Sequence, residues 1–347
     1  MKQFLKKLIV TCNMLEKYTY SHAGDIGKIM YTECGYKEND LPPQKCWREF
    51  EPGMRLYGKD RHYWLRLNFK TPLCRPEQRI VLKSATGFEG ERDTLNPQSM
   101  VYIGGKLVQA LDTNHTDVLL EPETDYDVYI YFYMGMQDAA SEFKLWLSYC
   151  DEPARELYYD MSVPLEACRR VYNENSYEYA VTVRALEHAA NMLELNYPYT
   201  PEYYERISAA RKYLKEEYYE KLCGKSPVTV NCIGHTHIDV AWLWTLAQTK
   251  EKVQRSFSTV LELMRRYPEY RFMMSQPQLF KFLSETDPDM YSEIKRLVKE
   301  GRWELEGAMW LEADCNLISG ESILLISLVH FIDYSPGVHR YSFLTFC

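Results

Sequence analysis

No C-x-x-C pair occurs among the ten scattered cysteines of this chain, which excludes a zinc ribbon and argues against a small disulfide-held scaffold. A reducing compartment is the simpler expectation, so the protein is expected to be cytoplasmic. No apolar run comes near the roughly 20 residues that cross a bilayer, and no membrane partner is expected. The opening MKQFLKKLIVTCNMLEKY has basic residues and a short apolar stretch, but Glu16 and Lys17 lie inside it and no small-residue cleavage pattern appears. It reads as an amphipathic helix rather than a leader. A basic excess is missing too: 41 Lys and Arg against 49 Asp and Glu give a net charge of -8, without the positive footprint a nucleic-acid binder needs.

What is abundant is the aromatic ring, with 29 tyrosines and 7 tryptophans. Flat rings with a polar tip suit the faces of sugars, although burial in cores accounts for most aromatics in any globular chain. The 347 residues exceed one ordinary compact domain and predict two or more.

Four regions are expected: an N-terminal helical or irregular segment at 1–45, a β-sandwich accessory domain at 46–170, a helical linker at 171–226 and a catalytic β/α domain at 227–347. In the second region YWLRLNF, RIVLKSA, MVYIGGKLVQAL, DYDVYIYFYMG and FKLWLSY alternate apolar with polar residues, and Gly104-Gly105 between two such runs signals a hairpin. Short strands separated by turn residues imply an antiparallel sandwich. In the third, Val183, Leu186, Ala190 and Leu193 recur at helical steps over Ser176–Leu195, Thr200-Pro201 opens a second helix, and Gly224 ends it.

After residue 227 the pattern changes. VTVNCI (228–233) predicts a buried strand, Thr245–Tyr267 a long helix, YRFMMSQ a strand, and DPDMYSEIKRLVKEG a helix capped by Asp287 or Asp289 and closed by Gly301. RWELEGAMWL then predicts a third strand. A β-α-β-α-β order calls for parallel strands with helical crossovers, whose ligands bind at the strands' carboxyl ends. That rule gathers three loops on one rim: His235 to Asp239, Ser275 to Gln278, and Glu312 to Asn316.

In GHTHIDVAWLW, His235, His237 and Asp239 sit at alternate positions and share a direction if the segment is extended. Imidazole and carboxylate together suit Zn²⁺ or a similar divalent ion; a hydrogen-bonded structural pair is the bland alternative for any one His-x-Asp. Trp242 could stack on a sugar ring or pack beneath the loop, and Trp244 is expected in the core. Asp314 is open to three roles, as caging carboxylate, metal ligand or nucleophile. Glu312, which shares its direction, is a candidate for supporting a ligand by hydrogen bond.

With those residues in view, the chain resembles glycoside hydrolase family 38, the retaining α-mannosidases, in its cytosolic and bacterial branch. The stretches that carry the likeness are GHTHIDVAWLW, SQPQLFKFL, EGRWELEGAMWLEADCNLISGES and, in the sandwich, LNPQSMVYIGGKLVQALDTNHTDVLL. The resemblance implies the first β/α units of a seven-stranded β/α barrel carrying one Zn²⁺ on His237, Asp239 and Asp314. It also implies Asp314 as nucleophile, Trp242 as the sugar's stacking partner, His235 as a supporting residue and a mannose-containing oligosaccharide as substrate. A retaining enzyme needs a nucleophilic carboxylate and an acid/base about 5 Å apart, and a cation on vicinal hydroxyls would orient the sugar.

The family's further zinc histidine, acid/base and remaining barrel strands are expected beyond this sequence. Past Ser322 the text ILLISLVHFIDYSPGVHRYSFLTFC departs from the family's polar helix, as an early stop or frameshift would make it, so turnover by this chain is expected to be impaired. His330 and His339 lie there without a strand end to place them. The alternatives are a metal-dependent amide or phosphoester hydrolase, and a non-enzymatic carbohydrate-binding fragment.

Overall fold

Strands whose two faces meet different partners build the antiparallel part of the molecule. The computed structural model describes residues 2–36, 46–89, 97–222, 228–307, 309–314 and 316–324. Tyr20–Gly24, Lys144–Asp151, Gln78–Ala85 and Asp117–Leu120 form a four-stranded sheet in that spatial order. Arg48–Glu49, Ile29–Cys34, His62–Lys70, Asp125–Tyr133, Gln98–Ile103 and Lys106–Leu111 form a six-stranded one, and every pairing within both sheets is antiparallel. Both sheets therefore recruit chain from before residue 46. The Gly104-Gly105 turn joins Ile103 to Lys106, with φ of 58° and 77°, the left-handed pair that a two-residue hairpin of matching twist requires.

Alternation along His62–Lys70 explains the aromatic content. Leu65 and Leu67 face the other sheet and join Val128, Ile130, Ile80, Leu82, Val118 and Leu120 in one core. Trp64, one residue out of phase, points to the opposite face, where it clusters with Met100, Tyr102 and Tyr131. Each fully buried aliphatic side chain here contributes about 1.5–3 kcal/mol of transfer free energy.

Helix α1 (Lys2–Thr19) packs on α2 (Glu152–Arg170) and α3 (Tyr177–Met192), and α4 (Pro201–Tyr213), which packs on α2 and α3, is continued by a wider π turn at Leu214–Glu220. Leu8, Leu15, Leu157, Met161, Leu186, Tyr203 and Ile207 make a core of their own. Asp151, Ser176 and Thr200 cap α2, α3 and α4 by accepting the backbone N–H of Ala154, Tyr179 and Tyr203. Gly224, expected to end the second linker helix, falls outside the described residues.

The remaining unit is a three-stranded parallel sheet, Gly234–His235, Phe272–Met274 and Trp303–Leu305, covered by α5 (Leu246–Arg266), α6 (Pro277–Thr286) and α7 (Pro288–Lys299). Val253, Phe257 and Leu261 of α5 meet Phe272, Met274, Leu283, Ile294 and Trp303. Asp287 caps α7 through the Met290 N–H at 2.9 Å, and Gly301 follows it at φ 65°. Three adjoining strands with helical crossovers are what these residues display.

Two expectations fail here. VTVNCI is not a strand: residues 228–233 adopt no regular structure, and Val228 and Val230 are 68% and 77% exposed. The reason lies in the neighbour, where Tyr270 N–H turns back to the Tyr267 carbonyl at 3.0 Å, so the partner strand begins only at Phe272 and offers no ladder further back. The crossover after Met274 also holds two helices rather than one, because Pro277 at the start of α6 lets a helix begin directly at the loop.

One buried polar network ties α5 to the six-stranded sheet. Tyr131 Oη lies 2.7 Å from both His62 Nδ1 and Glu251 Oε1, and Glu251 Oε2 accepts from Gln248 Nε2 at 3.0 Å and stands 3.5 Å from Arg255 Nη1. A hydroxyl has one proton; given to the Glu251 carboxylate, it requires His62 to be the Nδ1–H tautomer, donating to the tyrosine oxygen. No helix among the described residues is long and apolar enough to cross a membrane.

Candidate active site

The rim forms because each parallel strand is cut short by a conformation that turns the chain outward. After Gly234–His235 the segment has no regular structure through Asp239, and Ala241 takes a left-handed backbone, φ 68°. That uncommon left-handed alanine is held by Thr249 in the first turn of α5. The buried Thr249 Oγ1 accepts the Ala241 N–H at 3.0 Å and the Trp244 indole N–H at 3.2 Å, while donating to the Thr245 carbonyl at 3.3 Å. One hydroxyl thus fixes both the turn and the tryptophan beneath it.

After Phe272–Met274, Gln276 also adopts a left-handed backbone, φ 64°, and is 2% exposed. Its side-chain amide donates to the Ile238 carbonyl at 3.0 Å, and its side-chain oxygen faces the Glu312 N–H at 3.4 Å. A single residue of the middle loop touches both outer loops. After Trp303–Leu305, Gly307 turns the chain at φ 87°, and Trp310 Nε1 donates to Gln278 Oε1 at 3.0 Å.

On this frame His237 stands between two carboxylates, its Nε2 3.1 Å from Asp239 Oδ1 and its Nδ1 3.3 Å from Glu312 Oε2. Glu312 Oε1 accepts in turn from Ser275 Oγ at 3.3 Å. His235 directs Nδ1 to the Met273 carbonyl at 3.1 Å, a contact that fixes its N–H there and leaves Nε2 as the acceptor. Asp314 belongs to a turn: its Oδ1 accepts the Asn316 N–H at 3.0 Å, and its carbonyl accepts from Leu317 and Ile318. No hydrogen bond or ion pair joins Asp314 to His237 or Asp239 among the described residues.

Trp242 is 62% exposed on the rim; Trp244 is buried, and the rings meet edge to face at a centroid distance of 5.6 Å. The exposed ring thereby gains a fixed support while keeping a face open.

The donor set suits a divalent ion only in part. Among the described residues no three His, Cys, Asp or Glu side chains stand in a metal-holding cluster. The two carboxylates on His237 engage opposite ring nitrogens, whose lone pairs diverge, so Asp239 and Glu312 cannot share one cation with the ring between them. The His237 Nε2 and Asp239 Oδ1 pair fits differently. Two ligands at about 2.0–2.1 Å from one tetrahedral zinc stand about 3.3 Å apart, close to the 3.1 Å seen, while Glu312 on Nδ1 is placed to hold the ring's tautomer. Ser275, Gln276 and Thr249 were not picked out individually in the sequence; no local pattern marks a residue whose contacts lie 37, 36 or 8 positions away. His330 and His339 lie outside the described residues.

Residues 227–329 match the family model described as Glycosyl hydrolases family 38 N-terminal domain. Alpha-mannosidase G of Dictyostelium discoideum is 41% identical over 110 residues, which cover 32% of this chain and 10% of that protein. Alpha-mannosidase of Saccharomyces cerevisiae is 33% identical over 184 residues, 50% of this chain and 16% of the yeast protein, and Alpha-mannosidase 2C1 of Homo sapiens is 36% identical over 141 residues, 41% and 13% respectively. The chain therefore spans a small part of the length of these relatives. A solved beta-glucuronidase from Ruminococcus gnavus, with a TM-score of 0.23 at 12% identity over 38% of this chain and 28% of its own, is too distant to bear on the fold. The matched segment holds all three rim loops, so it is over this part of its length that the chain is similar to the glycosyl hydrolase family 38 amino-terminal domain and to the alpha-mannosidases.

Proposed function

We propose that the rim is part of the active site of a retaining, zinc-assisted α-mannosidase acting on mannose-containing oligosaccharides in the cytoplasm. The observation that carries this reading is the His237–Asp239 pair at 3.1 Å beside an open tryptophan face, at the carboxyl end of a parallel strand. His237, Asp239 and Asp314 would hold Zn²⁺, which when bound supplies a Lewis acid for vicinal sugar hydroxyls. We assign residues 227–347 to the first units of the family's barrel, 46–170, joined by the strands at Tyr20–Gly24 and Ile29–Cys34, to an accessory sandwich and 171–226 to the linker between them.

The chain's own residues do the following. Trp242 stacks on the sugar and, braced by Trp244, sets the height of the ring above the rim. Asp314 gives an electron pair to the anomeric carbon as the leaving oxygen departs with the bonding pair and takes a proton from a general acid, forming a glycosyl ester that water later cleaves. Glu312 and Ser275 keep His237 oriented, and His235 is fixed by the strand beside it. Compartment is supported by chemistry: Cys12, Cys34, Cys46, Cys74, Cys150, Cys168 and Cys232 are all free thiols.

The test reads metal and sugar rather than turnover. The full chain, dialysed with zinc, is expected to retain one equivalent, and Asp239→Asn to reduce affinity at least tenfold. Methyl α-mannoside is expected to quench rim tryptophan fluorescence in the zinc-loaded chain and not in Trp242→Leu. Equal zinc retention by Asp239→Asn, or equal quenching by Trp242→Leu, would sink the assignment. A fluorinated mannosyl inactivator should label Asp314 and no other carboxylate.

A further inference from the structure

A cavity of about 370 Å³ opens where the carboxyl end of α1, the first turns of α2, the edge of the four-stranded sheet and the last turns of α5 meet. It is separated from the rim by most of the length of α5, roughly 20 Å at 1.5 Å per residue. Its floor is Asp117, mostly buried, which accepts from Tyr20 Oη at 2.5 Å and lies 3.8 Å from Lys83 Nζ and 3.5 Å from Arg266 Nη1. These partners hold the Asp117 carboxyl below its ordinary range against the opposing effect of burial, so it is ionised.

The cations outnumber what Asp117 can satisfy. Arg266 has a second acid, Glu262 at 2.9 Å, but Glu262 also serves Arg265. Lys83 has Thr116 Oγ1 at 2.8 Å. Arg155 faces the buried Cys150 thiol, with Tyr267, Tyr20 and the Asp117 carboxylate also around its charge, and makes no ion pair of its own among the described residues. Its planar fork of five N–H donors is thus mostly unspent, half-buried and open to the cavity, where a ligand can take up two of its donors at once. The remaining acid of the lining, Glu16, stands at the mouth and takes the Tyr158 hydroxyl at 3.3 Å. The unsatisfied capacity of the cavity is therefore donors around a cation, which fits an oxyanion and not a neutral polyol.

We propose that this cavity is a second ligand site, one that binds a phosphate group, free or carried on a small sugar, with Arg155 as its bidentate anchor and Lys83 as the flanking charge. The full chain titrated calorimetrically with inorganic phosphate at fixed ionic strength is expected to show one saturable site. Arg155→Met should weaken it at least tenfold and Arg155→Lys less. A hexose 6-phosphate binding more tightly than phosphate identifies the sugar-borne group; equal affinity identifies phosphate itself. Because Arg155→Met removes a packed side chain, the unmodified protein supplies a second reading: phosphate should protect the Arg155 peptide, and not the Arg48 peptide, from phenylglyoxal as followed by mass spectrometry. Absence of saturable binding, wild-type affinity in a folded Arg155→Met, or absence of protection overturns the site.

Discussion

The antiparallel and parallel parts of the molecule solve the same problem unequally. His62–Lys70 and Asp125–Tyr133 pair over nine residues each and bury both faces, whereas the three parallel strands have two, three and three residues and lean on helices for their core. Long ladders make a rigid, chemically silent slab. Short strands end early and hand the chain to loops, so the chemistry-bearing side chains collect where the backbone ladder runs out.

That contrast can be broken most severely at Trp303, which touches Phe257, Phe272 and Phe280. Trp303→Ala is expected to cost about 3–5 kcal/mol, and hydrogen exchange should show Phe272–Met274 and α5 losing protection while His62–Lys70 keeps most of its own. Uniform loss across both parts would mean that they unfold as one body.

The next effect tests their junction. Burial holds the His62 imidazole down at about 4, with Arg255 adding to the depression and Asp60 opposing it. Because the folded value lies below the ordinary 6.5, the unfolded chain binds the extra proton first. Stability from this group is present above about pH 6.5 and is lost as pH falls toward 4, up to about 3 kcal/mol. Urea midpoints at pH 7 and pH 4.5 should differ by more in the wild type than in His62→Gln.

The smallest effect isolates the rim. Thr249→Val keeps the shape of the side chain and removes the acceptor of the Ala241 and Trp244 N–H groups, with an expected cost of about 1–3 kcal/mol. Its signature is local, as a red-shifted tryptophan emission with the sandwich's exchange unchanged.

Much of this contrast was written in local chemistry. The Gly104-Gly105 hairpin, the Thr200-Pro201 and Asp287 starts, and the helix over 245–267 all follow from residues within one or two turns of one another. VTVNCI misled because an apolar run specifies that a strand wants partners, not that any will be opposite it. Tyr20–Gly24 has too little apolar content to announce an edge strand, and Ile29–Cys34, internal to its sheet, lacks the strict apolar–polar alternation that marks a half-buried strand. At the rim, the alternation His235, His237, Asp239 marked a loop that the structure sets at the end of a parallel strand, but the Glu312 contact on Nδ1 and the turn that holds Asp314 depend on how far apart three loops stand, which only tertiary packing decides. The His62–Tyr131–Glu251 link joins three elements and has no sequence signature.

Gln276 sets that distance. It occupies a backbone conformation in which glycine would be more comfortable, at a cost on the order of 1 kcal/mol, yet glycine has no amide to reach Ile238 and Glu312. The gap between the outer loops is consequently gauged by the length of one side chain. A guest that draws the Asp239 loop inward must pull Glu312 along with it, so the two walls of the rim respond to a visitor together.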